Sequence, residues 1–353
     1  MIEIKTVLVL GAGASIPFGF PSGQNLVDII CTQLLSHSLQ AKTRVEKLFT
    51  ERWARNFSIL EERFDAKALS TFADRLLHSG ESSVDAFLES QEKDFVEIGK
   101  AVIAASLLPC ERQETLFRHF VDIRRLPGDT EELSKNWYQY LWSELNAPFE
   151  LFGKNELSVV TFNYDRSLEH YLFTTLKNKY PDKSDNEYAE TMSSIPIIHV
   201  HGKLGPLPWE CSGSNLKSVV PYDSMACGSH FGIKDNDIKD YREAWFDNAR
   251  SNIKVIHEGT DESDEFKQAH EKIQKAQQLY FLGFGYHPTN LRRLNPDVLK
   301  QAKKIEGTAY ELSLTRIWNI ERQSIGTFNR KNHNLYDKRI YDFLHNHVIF
   351  NLP

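Results

Sequence analysis

The sequence predicts an α/β fold: a doubly wound parallel sheet with helices on both faces and one large helical insertion. Three observations carry this. Short, predominantly apolar runs, most of them rich in β-branched residues, recur at residues 7–10, 157–162, 195–200 and 279–282, with a fifth around 307–312. Such runs suit strands covered on both faces. Helical spacing follows three of them, over 166–177, 288–301 and 313–324, and strand-then-helix repetition marks this class. Residues 25–150, in contrast, hold no convincing strand but several segments with apolar residues three and four apart.

Taken in order, the first strand runs straight into "GAGASIPFGFPSG", a glycine-rich turn. The insertion follows with "NLVDIICTQLL", "RVEKLF", "SSVDAFLESQEKDF" and "LSKNWYQYLWSEL", all helical in spacing. Ser82 or Ser83 is placed to cap the third of these. Trp137, Tyr138, Leu141 and Trp142 fall at helical spacing and are expected in a core or subunit interface. The stretch 205–237 is rich in Gly, Pro, Ser and Asp and reads as a long loop, with Asp223 and His230 expected on its surface. The charged run 258–265 reads as a solvated turn, and His257 as exposed. Arg292 and Arg293 receive no role, and no internal repeat is visible.

The totals bound the function. With 353 residues, 41% of them hydrophobic, the chain can build one large domain with an insertion or two domains sharing a core. A net charge of −6 gives no sign of a nucleic-acid partner. Cys31, Cys110, Cys211 and Cys227 are scattered with no C-x-x-C pair, so a four-cysteine zinc module is not expected, and no metal is assigned. The N-terminus reads as a strand rather than a signal peptide, and the apolar tract 101–108 is too short to cross a bilayer. A cytoplasmic setting without membrane contact is the expectation.

Chemistry-bearing residues collect at strand ends, where an α/β sheet places its ligand. Gly11 and Gly13 fit the first two positions of G-x-G-x-x-G, but Ile16 occupies the third, so the dinucleotide fingerprint is incomplete. Glycines with successive N–H groups at a helix start can wrap a phosphate, and Ser15 offers a hydroxyl; a tight structural turn would read the same. Asn163 and Asp165 lie just past the second strand, and His201-Gly202 just past the third. His199, inside the apolar run, reads as a buried core histidine.

"GAGAS", Pro21, "TFNYD" and "HVHGKLG", in this order, resemble the SIR2 (sirtuin) superfamily, and most closely its bacterial SIR2-like NAD-consuming branch of anti-phage defence. "SSVDAFLES", "LYFLGFGY" and "KIEGTAYEL" also resemble that branch, so the likeness spans about residues 7–312. It implies a Rossmann-like NAD-binding domain made of 1–24 and 151–353, with 25–150 as a helical insertion replacing the zinc module. It implies that Gly11, Gly13, Ala14 and Ser15 hold the NAD pyrophosphate next to Pro21. Asn163 would sit at the nicotinamide ribose, Asp165 at the nicotinamide amide and His201 near the ribose hydroxyls. Gly283 and Gly285 would let backbone approach the adenosine half.

The implied activity is an NAD glycohydrolase that yields nicotinamide and ADP-ribose, with NAD as substrate and Asn163 and His201 as catalytic residues. An amide orients a hydroxyl or water without a charge to desolvate, and a histidine takes a proton near neutral pH. Activation would come from a sensor or activator protein, or from homo-oligomerisation, since the chain leaves no room for a clear second sensor domain. The sequence departs from the deacylases at Pro21-Ser22-Gly23-Gln24, where they carry Asp-Phe-Arg after the proline, and in lacking their zinc ribbon. The alternatives are a non-catalytic NAD or ADP-ribose sensor and an NAD-dependent deacylase.

Overall fold

The computed structural model describes residues 1–35, 57–117, 135–211, 213, 215–225, 231–234, 236–255, 263–299, 301–322 and 334–352. Six strands build one parallel sheet: β1 (Thr6–Leu10), β2 (Leu157–Thr161), β3 (Ile197–His199), β4 (Gln278–Leu282), β5 (Lys304–Thr308) and β6 (Leu335–Tyr336). Their order is β3-β2-β1-β4-β5-β6. This Rossmann-like order switches direction between β1 and β4, and ligands of such sheets bind in the crevice beyond the carboxyl ends at that switch.

The helices that matter for the site are α1 (Gly23–Leu35), α2 (Ala66–His78), α3 (Val84–Leu88), α4 (Lys93–Leu107) and α5 (Trp137–Glu144) from the insertion side. From the sheet side come α6 (Ser167–Lys179), α7 (Asp185–Ser193), α8 (Ile238–Asn252), α9 (Asp264–Lys275), α10 (Pro288–Arg293), α11 (Leu314–Ile320) and α12 (Ile340–His347). A strand points alternate side chains to opposite faces, so a wholly apolar strand feeds two cores. Leu8 and Leu10 join Val159, Tyr280 and Leu282 in a core shared with the insertion residues Val102, Ile103, Trp137 and Tyr138. Val7 and Val9 join Val160, Phe281 and Ile305 beneath Phe266 and Ile273 of α9.

Helix starts follow local chemistry. Ser83 caps α3, its Oγ accepting from Ala86 N at 3.2 Å, and Asn136 caps α5 by accepting from Tyr138 N and Gln139 N. Trp137, Tyr138 and Leu141 are fully buried core residues.

The structure also departs from the sequence reading. The fifth strand is Lys304–Thr308, ahead of the expected 307–312, because half-exposed Lys304 and Glu306 alternate with buried Ile305 and break the uniform apolar signal. β6 was not anticipated; two residues carry no periodicity. The expected helix 288–301 is two helices, Pro288–Arg293 and Pro296–Leu299, parted by Asn295 at φ 58° and by Pro296. Asp223, expected on a loop surface, is buried. His230, His257, Cys227, "RVEKLF" and most of the 258–265 run lie outside the described residues, although Ser263 and Asp264 there open α9. Among the described residues no helix is long and apolar enough to cross a membrane.

Candidate functional site

The glycine turn leaves β1 and meets the turn leaving β4. Gly11 N donates to Leu282 O at 3.1 Å and Gly13 N to Gly283 O at 2.9 Å. Ala14 N returns to Gly11 O at 2.9 Å and Ser15 N to Ala12 O at 3.1 Å. A Cβ on Gly283, whose φ is +59°, would lie 2.2 Å from Ala14 N, and one on Gly11 2.7 Å from Gly283 O. The close approach that demands glycine at 11, 13 and 283 is therefore between the two turns themselves. The four amides expected to face a phosphate all have backbone partners, two across this junction and two within the turn after β1. Gly285 differs: nothing lies within 4 Å of a Cβ built on it.

Around this junction a buried polar network gathers the end of β2. Asn163 Nδ2 donates to Gly11 O at 2.9 Å and to Ser15 Oγ at 3.0 Å. The Gly11 carbonyl fixes the orientation of the amide, because a flipped Oδ1 would face another acceptor. Asn163 Oδ1 thus remains the group able to accept from a ligand hydroxyl or water. Ser15 Oγ donates to Asp165 Oδ2 at 2.6 Å, while Asp165 Oδ1 accepts from Ser167 N at 3.1 Å and from Ser167 Oγ. Tyr138 OH meets Ser167 Oγ at 2.6 Å, and Trp137 Nε1 donates to Ala14 O at 2.9 Å. Burial pushes the Asp165 carboxyl above its ordinary range, against the three hydrogen bonds that favour its charge.

The histidines divide their work. His199 is buried, as expected, but it is tied at both nitrogens: Nδ1 to Asn163 O at 2.8 Å and Nε2 to Glu169 Oε1 at 2.5 Å. It holds the backbone of Asn163 rather than filling an apolar core. Glu169 is held down at about 2 chiefly by His199, with Lys203 assisting, although burial opposes this. His201 is buried against Phe162, Tyr164 and Phe266 at ring distances of 5.6, 6.3 and 6.3 Å. Among the described residues its Nδ1 has no hydrogen-bond partner. Burial lowers its pKa, with Arg293 adding to the effect and Asp85 opposing it. A neutral imidazole with an open nitrogen is a base.

A small cleft of about 70 Å³ opens at this place, lined by Ala12, Ser15, Phe20, Pro21, Asp85, Phe162, Asn163, Tyr164 and Asp165. The structure thus brings Ser15, Pro21, Asn163 and Asp165 together. His201 stands behind Phe162 and Tyr164, outside the lining, and Gly11, Gly13, Ala14, Gly283 and Gly285 are also not in it. A larger hollow of about 400 Å³ lies at the β3 edge against α7, lined by Glu169, Met192, Trp209 and neighbours. It lacks the converging strand ends, so the smaller cleft is the candidate site.

The sequence reading missed the insertion's share of the site. Asp85 of α3 accepts from Tyr164 OH, and Glu89 pairs with Arg293 at 3.0 Å. Glu111 and Arg166 form a fully buried ion pair, and Arg166 Nη1 also donates to Val220 O at 2.5 Å and Gly205 O at 3.2 Å. Asp85 lies in the "SSVDAFLES" stretch, two residues after the capping Ser83, where nothing in the pattern itself marks it as a site residue. Among the described residues no group of three or more His, Cys, Asp or Glu is placed to hold a metal ion. No protein-family model matches the chain, and no curated protein matches it.

Proposed function

We propose that the chain is a SIR2-like NAD glycohydrolase, releasing nicotinamide and ADP-ribose, and that it serves as an effector of anti-phage defence. One observation carries the reading. Asn163 at the end of β2 is bonded into the glycine turn at the end of β1, beside the β1/β4 switch point, with His201 packed behind the same cleft wall. Asn163 Oδ1 would accept from a ribose hydroxyl or water, and neutral His201 would take the proton from water. Ser15, Pro21 and Ala12 face the cleft, while Gly11, Gly13, Ala14 and Gly283 shape the wall behind it.

The cleft of about 70 Å³ is far below the ~300–1,000 Å³ of ligand pockets, so NAD requires it to widen. Phe162 and Tyr164 form both the cleft wall and the packing of His201, so widening would also uncover the base. A closed resting form fits an enzyme whose uncontrolled activity would be toxic, with opening driven by an activator protein or by self-association. The test is chromatographic: nicotinamide and ADP-ribose from NAD, for wild type, Asn163→Ala and His201→Ala, with and without infected-cell lysate. Release by wild type and a loss of at least ~10²-fold in both variants is expected. NAD binding without turnover under every activator would replace the enzyme with a sensor.

A further inference from the structure

We infer that Asp85, delivered by the helical insertion, is the carboxylate that faces the positive charge developing on the ribose. The inference rests on the glycohydrolase reading and names a catalytic group within that site. Two carboxylates line the cleft, and they are not equivalent. Both oxygens of Asp165 are taken, one by Ser15 and the other by Ser167, so Asp165 anchors the glycine turn to α6. Asp85 comes from the insertion, in the first turn of α3, half-buried and oriented by the Tyr164 hydroxyl. Tyr164 directly follows Asn163, so one short segment positions the amide and the acid in the same hollow. The charge of Asp85 is also felt at His201.

The chemistry requires such a group. When the C1′–N bond of NAD breaks, the electron pair leaves with nicotinamide, which departs neutral, and the ribose carries the positive charge. Water then adds to C1′, and its proton passes to the base and on to solvent. A carboxylate preset beside C1′ stabilises that cation without reorganisation. It acts on the rate to the extent that it attracts the charge on the ribose more than the charge the nicotinamide ring carries in bound NAD. Phe20, Phe162 and Tyr164 line the cleft beside Asp85, and such apolar and aromatic surroundings strengthen a charge pair relative to bulk water.

The experiment compares wild type, Asp85→Asn and Tyr164→Phe under the condition that supports wild-type turnover. It measures kcat on NAD, the thermal midpoint, and the Kd of carba-NAD, an analogue whose carbocyclic ring resists cleavage. Asp85→Asn should lose about 10²–10³-fold in kcat, with Kd within about threefold of wild type and an unchanged midpoint. Tyr164→Phe, which keeps the charge but loosens it, should lose about tenfold or less. Wild-type turnover with Asp85→Asn within tenfold of it overturns the role of Asp85 and leaves the glycohydrolase standing. Parallel loss of kcat, carba-NAD binding and thermal stability in Asp85→Asn also overturns it, since the acid would then only hold the insertion in place. Absence of wild-type turnover under every activator overturns the glycohydrolase reading itself.

Discussion

Gly283→Ala separates two uses of the glycines. If Gly283 exists to admit a nucleotide, alanine there should spare stability and weaken binding. The structure predicts the reverse. The residue sits at φ +59°, and an alanine there costs about 1–2 kcal/mol. The new methyl would lie 2.2 Å from Ala14 N and 2.3 Å from Gly13 C, backbone atoms that cannot swing aside. Forced displacement of packed groups costs about 1–3 kcal/mol more, and the Gly13 N to Gly283 O bond, worth about 1 kcal/mol, is strained with it. The expected loss is about 4 kcal/mol. At an unfolding entropy of about 0.7 kcal/mol/K for 353 residues, that is a fall of about 5 °C in Tm. Gly285→Ala is the internal comparison, because nothing stands within 4 Å and its φ is not positive; it should stay within about 0.5 kcal/mol. Urea midpoints at constant m measure both. A Gly283→Ala protein within 1 kcal/mol of wild type would refute the turn-on-turn argument.

Two further outcomes follow from the buried charges. Glu111→Ala strands the fully buried Arg166 guanidinium and should cost about 3–5 kcal/mol by urea denaturation, whereas a double Glu111→Leu, Arg166→Met variant should recover much of that loss. His170 stacks on Tyr222 at 4.2 Å, and among the described residues its buried Nε2 has no partner; burial, with Arg166 nearby, holds its pKa down at about 3. Its native pKa lies below the unfolded value of about 6.5, so its stabilisation is complete above pH 6.5 and is lost as pH falls toward 3. From pH 7 to 5 the loss should be about 2 kcal/mol, read as the difference between wild type and His170→Phe in urea midpoints. The difference is needed because burial pushes Glu111 up to about 7, which tilts stability the opposite way between about pH 4.5 and 7.

What the sequence showed depended on how local each signal was. β1, β2 and β4 were legible because predominantly apolar runs, of which Val7 to Leu10 is the cleanest, feed two cores at once. β5 was displaced because Lys304 and Glu306 interrupt its run, and β6 was invisible at two residues. Asn163, Asp165 and Ser15 were found from their positions past strands and turns, Pro21 only through the family resemblance, and all four line one cleft. Gly11, Gly13 and Gly283 also let the turns after β1 and β4 press on each other, a contact that no sequence shows. The tie from His199 to the Asn163 carbonyl spans 36 positions and has no periodic trace.

The insertion does more than cover the sheet. Trp137 grips the carbonyl of Ala14 in the glycine turn, and Tyr138 reaches Asp165 through Ser167. Asp85 holds Tyr164 beside Asn163, Glu89 holds Arg293 near His201, and Glu111 holds Arg166 at the start of α6. The turns after β1 and β2, which carry Ser15, Asn163 and Asp165, thus each have a polar partner in the insertion. These partners are polar and geometrically exacting, so a shift of α3 or α5 cannot be absorbed without repositioning Ser15, Asn163 or the wall of His201. An activator that moved either helix would act on the cleft directly. The cleft of about 70 Å³ is walled mainly by the turns after β1 and β2, and the insertion adds Leu26, Asp85 and Leu107 to that wall.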